Sequence, residues 1–101
     1  MDNAPDSRHN ERDVVRKRAV FSGRVQGVGF RYTAQELAQD FAVSGYVRNL
    51  ADGTVEVQAE GEPDQVSDFL AAISRRLAGC IEKASVEDAP SSGITGFRIR
   101  Y

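Results

Sequence analysis

The chain has a single cysteine, a single histidine and no tryptophan among its 101 residues. A lone cysteine closes no internal disulfide and builds no cysteine-based metal site. Cys80 follows Gly79 at an expected helix end, a place that suits a small space-filling side chain better than a reactive thiol. His9 stands in a polar stretch with no periodic pattern around it. Nucleophile–histidine catalysis and histidine-held zinc would both depend on that residue, which argues against both, and no metal is expected. No apolar run approaches the roughly 20 residues that a membrane span requires. The N-terminus lacks a hydrophobic segment, so no secretory leader is read and a cytoplasmic address is expected. Positive charge is not in excess either: 13 Lys and Arg stand against 15 Asp and Glu, for a net charge of −2 and a pI near 5.3. That balance opposes general affinity for nucleic acid or membrane surfaces, so neither partner is expected.

What remains is the composition of an ordinary globular protein, 41% apolar and 28% charged, in a length that suits one domain. Residues 1–13 are polar and without periodicity; they read as a flexible tail that joins no core, with the domain spanning 14–101. From Val14 to Ser22 the residues suit a strand that puts Ala19 and Phe21 on one face. Arg16, Lys17 and Arg18 form a basic cluster there, expected to be a solvated face with some capacity to attract anions.

Next comes Gly23-Arg24-Val25-Gln26-Gly27-Val28-Gly29-Phe30-Arg31, in which three glycines precede a helical pattern. Glycines let a backbone curl and turn several N–H groups inward, and a helix N-terminus adds unpaired donors and partial positive charge. Arg31 falls in the first helical turn, where its fork of donors can close over a phosphate or carboxylate. The stretch therefore fits an oxyanion cradle. A strand–glycine–helix turn also serves simply to reverse a chain, so the loop alone leaves both readings open. It is not a P-loop, because no Lys-Ser or Lys-Thr pair occurs. Nor is it the dinucleotide fingerprint, whose third glycine would fall on Tyr32.

Phe30, Ala34, Leu37, Ala38 and Phe41 recur at helical spacing. Tyr46 to Leu50 reads as a second strand, with Val47 and Asn49 on one face, and Asp52-Gly53 signals a hairpin. Val55, Val57 and Ala59 then alternate with Glu56, Gln58 and Glu60, which predicts one buried and one wet face. Pro63 opens a second helix with the stripe Val66, Phe69, Leu70, Ile73 and Leu77, and Gly79 stops it. A strand over about Glu82 to Glu87 has Ala84 and Val86 inward, and Phe97 to Tyr101 alternates again. The order β-α-β-β-α-β plus a terminal strand, with one apolar stripe per helix, predicts an α+β, ferredoxin-like sandwich with both helices on one face.

Over about residues 14–101 the sequence closely resembles the small acylphosphatases. Two motifs carry the likeness: Gly23 to Arg31 as written above, and Gly45-Tyr46-Val47-Arg48-Asn49 with Asp52-Gly53, Val55 and Gly61 at the family's spacing. Phe21 departs from the Leu, Ile or Val usual in the family and touches no assigned role. The resemblance implies an antiparallel sheet in the order 4-1-3-2-5 and hydrolysis of acyl phosphates to a carboxylate and inorganic phosphate, with no cofactor. It places the catalytic arginine on Arg31, the water-positioning asparagine on Asn49, and the phosphate-binding loop on Gln26, Gly27, Val28, Gly29 and Phe30. By residue type alone Asn49 would read as a strand-end Asn bonding its own hairpin, and the resemblance reverses that preference. Arg24 and Arg48 are expected to be solvated. A monomer acting on a small-molecule acyl phosphate is expected.

Two rivals are weaker. An RNA-binding module would carry Gly-Val-Gly-Phe-Arg-Tyr on a strand, whereas here it precedes a helix in an acidic chain. An acylphosphatase-like accessory domain of a hydrogenase-maturation carbamoyltransferase would bring further domains, and an end at residue 101 favours a stand-alone enzyme.

Overall fold

The structure, a computed structural model, describes residues 14–101. The tail expected over residues 1–13, with His9, lies outside the described residues. The elements run β1 (Val15–Gly23), α1 (Phe30–Ala38), β2 (Ser44–Asn49), β3 (Val55–Gly61), α2 (Pro63–Arg76), β4 (Ile81–Asp88) and β5 (Phe97–Arg100). The strands form one sheet in the order β4-β1-β3-β2-β5, the order that the family resemblance implies, in the ferredoxin-like class that the element pattern predicts. One correction concerns direction. β1–β3, β1–β4 and β2–β3 are antiparallel, but β5 pairs with β2 in parallel, so the sheet is mixed. The reason is parity: β4 runs opposite to β1, and the 89–96 connection turns the chain once more before it reaches the far edge. β5 thus runs with β1, and β2 does too. The crossing is fastened beneath the sheet: the Ala89 N–H donates to the Arg16 carbonyl, the Ser91 hydroxyl and the Ser92 N–H to Glu60, and the Gly45 N–H to the Gly96 carbonyl.

Alternation sends Ala19, Phe21, Val47, Val55, Val57 and Ala59 toward the helices, where they meet Phe30, Ala34, Leu37, Val66, Phe69 and Ile73 in one core. Phe69 sits at the middle of an aromatic chain, with its ring 5.9 Å from Phe41 and 5.1 Å from Phe97. Phe41 lies beyond the end of α1, in the turn that follows, yet still packs on the core. β2 and β3 pass so close at Gly45 that a Cβ there would lie 1.9 Å from the Gln58 carbonyl oxygen.

β4 departs from its expected burial. Ala84 pairs with Phe21 and Val86 with Ala19, so both point to the helix side, yet Val86 remains 54% exposed. β4 is an edge strand and α2 does not cover it; a groove lined by Val15, Leu70 and Val86 runs between them.

The opposite face of the sheet is charged, with a buried carboxylate at its centre. Glu56 is 1% exposed and accepts hydrogen bonds from Arg18 and Gln58 on one oxygen and from Arg48 on the other, the last at 2.6 Å. Arg16 is also buried, donating to Gln58 at 2.7 Å and to Glu60 at 3.0 Å. The guanidinium groups of Arg16, Arg48 and Arg100 surround the Tyr46 ring at 4.2–6.0 Å, while on the helix side of the sheet Lys17 pairs with Asp88. The basic cluster of β1 and Arg48 are therefore paired with carboxylates; only Arg16 is buried, and Lys17, Arg18 and Arg48 stay partly solvated.

Candidate active site

The chain leaves β1 at Gly23, whose backbone is held against β4 by the neighbouring Arg24 N–H donating to the Cys80 carbonyl at 2.9 Å. Val25 then plugs into the core with no exposure. The Gln26 side chain reaches across to the β2–β3 hairpin, donating through Nε2 to the carbonyls of Leu50 at 2.8 Å and Thr54 at 2.9 Å. The hairpin is itself well defined. Leu50 N–H donates to Thr54 and Gly53 N–H to Leu50, Gly53 takes a left-handed φ of 92°, and the Asp52 carboxylate accepts from Thr54's N–H and hydroxyl. Those bonds from Thr54 hold the Asp52 carboxyl below its ordinary pKa. Gln26 thus ties the glycine loop to the strand end that carries Asn49.

Past Gln26 the backbone turns left-handed at Gly27 and again at Gly29, the residue that caps α1. An L side chain at either φ would be strained. No side chain caps α1 and its first turn contains no acid. The Thr33 N–H makes a helical bond to the Gly29 carbonyl at 2.9 Å, which leaves the N–H groups of Phe30, Arg31 and Tyr32 without partners inside the helix. Phe30 is 2% exposed, its ring 5.2 Å from that of Phe21, so the helix start is bolted to the core.

Asn49 arrives from the other side. It ends β2, opposite Val55, on the helix-facing side that it shares with Val47. The result is a cleft of about 260 Å³ lined by Val25, Gly27, Gly29, Phe30, Arg31, Tyr32 and Asn49. Among the described residues Arg31 is its one charged side chain, and no carboxylate lines it. Among the described residues Arg31 has no carboxylate within ion-pair distance; its guanidinium carbon instead lies 4.8 Å from the centre of the Tyr101 ring. A helix N-terminus, an arginine and an amide around a space of this size can hold a tetrahedral oxyanion and orient one water beside it.

Of the residues singled out in the sequence, Gly27, Gly29, Phe30, Arg31 and Asn49 meet at this cleft. The side chains of Gln26 and Val28 do not line it: Gln26 is bound to the hairpin and Val28 is 41% exposed, so only their backbones belong to the curled loop. Sequence reasoning missed Tyr32 and Tyr101. The alternation of β5 carried one step further puts Tyr101 on the side of Phe97 and Ile99, a signal that was available, but its meeting with Arg31 is tertiary.

The acylphosphatase family model matches residues 17–99. The acylphosphatase of Methanospirillum hungatei is 45% identical over 83 residues, which cover 80% of this chain and 91% of that one. The crystal structure of the Bacillus subtilis acylphosphatase superposes with a TM-score of 0.76 at 34% identity, covering 86% of this chain and 99% of that one. The HypF structure from T. kodakarensis, with a TM-score of 0.72 and 23% identity over 87% of this chain and 12% of its own, shares the fold.

Proposed function

The chain belongs to the acylphosphatase family and hydrolyses acyl phosphates, and from that premise we propose that the cleft between the 26–31 loop and Asn49 is where the phosphoryl group is held and attacked. The observation that carries this reading is the convergence of Arg31, at the start of α1, and Asn49, at the end of β2, on a single cleft that no carboxylate among the described residues lines. Acyl phosphates expel a carboxylate whose parent acid has a pKa of roughly 4, so the leaving group needs no general acid. What the protein must supply is grip, charge neutralisation and one placed water. The N–H groups of the loop and of the first turn of α1 take the phosphoryl oxygens, and the Arg31 fork neutralises the charge that spreads over them. Asn49 offers a donor and an acceptor, which orients water without deprotonating it. Among the described residues no carboxylate lines the cleft, and in this scheme the proton of that water passes to a phosphoryl oxygen. Gln26 acts by keeping loop and hairpin in register. The reading includes a monomer working in the cytoplasm, without a nucleic-acid or membrane partner.

Ultraviolet-monitored hydrolysis of benzoyl phosphate in EDTA tests the scheme. Turnover that persists in the chelator is expected; strict dependence on added metal would overturn the mechanism. Asn49→Ala is expected to lower kcat on the order of a hundredfold while the inhibition constant of inorganic phosphate changes little. A loss confined to phosphate affinity would make Asn49 a phosphate ligand instead.

A further inference from the structure

Exposed apolar side chains scattered singly carry no message, but a group of them at one place does. The large exposed hydrophobic residues among those described are Val14, Val28, Tyr32, Val86 and Tyr101. Val28 belongs to the loop that walls the cleft, Tyr32 to the first turn of α1, and Tyr101 stands over Arg31. Tyr32 is 65% exposed and Tyr101 88%. Both tyrosines flank Arg31: Tyr32 lines the cleft beside it, and the centre of the Tyr101 ring lies 4.8 Å from its guanidinium carbon. Tyr101 also borders an open groove of about 650 Å³ whose lining is mixed, Ile94 and Ile99 beside Arg98 and Arg100.

An acyl phosphate whose phosphoryl group enters the cleft must point its acyl group out past this rim. We infer that Tyr32 and Tyr101 form an acyl-group subsite that favours acyl phosphates bearing an aromatic or bulky apolar group. The inference rests on the phosphoryl reading of the cleft. Aromatic side chains offer wide apolar faces with few rotors to fix, and their phenols keep the rim wetted when no substrate is bound. Such a shelf adds nothing to the chemistry; it adds attraction for one kind of acyl group over another. An open shelf discriminates less than a closed pocket, so the effect belongs at the low end of what apolar pockets achieve, about tenfold.

The test measures kcat/KM for benzoyl phosphate and for acetyl phosphate in parallel. In Tyr32→Ser/Tyr101→Ser the ratio of benzoyl to acetyl is expected to fall about tenfold, equivalent to about 1.4 kcal/mol. Tyr32→Leu/Tyr101→Leu, which keeps an apolar rim, is expected to restore most of the ratio. Equal losses on both substrates in the serine variant would mean that the tyrosines only hold Arg31 in place, and would overturn the subsite. An unchanged ratio with unchanged rates would overturn it as well. Acetyl phosphate turnover by the unaltered protein reports on the phosphoryl cleft separately, so a failure there is distinguishable from a failure of the ratio. Both side chains are exposed, and thermal melts of the variants verify folding.

Discussion

Arg31→Ala is expected to cut kcat/KM on acyl phosphates by on the order of a thousandfold, the scale at which an arginine placed on a transferring phosphoryl group acts. Among the described residues Arg31 is the one charged side chain lining the cleft, and none of the others there can substitute for it. Backbone N–H groups would remain, and they bring partial charges only. Arg31→Lys restores the charge but not the planar fork, and should recover little of the loss. Arg31 is half-buried and contacts an exposed tyrosine rather than the core, so the melting temperature of both variants should stay close to that of the parent. Parent-like kinetics in a folded Arg31→Ala protein would remove the arginine from the mechanism.

The second large effect lies on the far side of the sheet and concerns stability. Glu56 is almost fully buried and balances Arg18 and Arg48. Glu56→Ala leaves two guanidinium groups and Gln58 without their common acceptor, which should cost roughly 3 kcal/mol, the lower end for breaking a buried ion pair. For a domain of this size that lowers the melting temperature by more than about 10 °C. Hydrolytic activity at low temperature should persist, since the network faces away from the cleft. The same group sets a pH dependence. Burial pushes the Glu56 carboxyl up, but the hydrogen bonds from Arg18, Gln58 and Arg48 outweigh it and bring the pKa below its ordinary 4.5. Glu60 is held down in the same direction, chiefly by Ser91. A carboxyl with a lower pKa folded than unfolded contributes stability that is complete above the unfolded value and fades as pH falls through the folded one. Melting temperature should therefore hold steady down to about pH 5 and drop below 4.5, less steeply in Glu56→Gln. An equal acid slope in that variant would show that the network does not carry it.

The parts of this molecule that local chemistry dictates were legible beforehand. The glycine loop, the apolar stripes of both helices and the Asp-Gly hairpin each announce themselves within a few residues, and each is found where the pattern puts it. Asn49 could be placed on the Val47 face by alternation alone. What could not be read is what depends on partners far along the chain. Arg16, Arg18 and Arg48 look like solvated cations until β3 sets Glu56, Gln58 and Glu60 beside them. Ala84 and Val86 alternate like buried residues, but an edge strand beyond the reach of α2 leaves them exposed. The parallel pairing of β5 follows from chain direction across the whole sheet, which no short stretch encodes. Gln26 sits within the loop motif, yet its amide serves two hairpin carbonyls that the motif does not contain.

The sheet order also decides when in folding the cleft can exist. Arg31 follows β1 and Asn49 ends β2, and these two strands are not neighbours: β3, later in the chain than either, lies between them. A nascent chain that has completed β1, α1 and β2 has every cleft-lining residue but no surface on which to fix the strand ends in relation to each other. Only when β3 inserts, pairing Phe21 with Val55 on one side and Asn49 with Val55 on the other, does one residue come to hold both halves. Recovery of turnover during refolding should therefore track docking of the central strand, and should lag behind helix formation seen by circular dichroism.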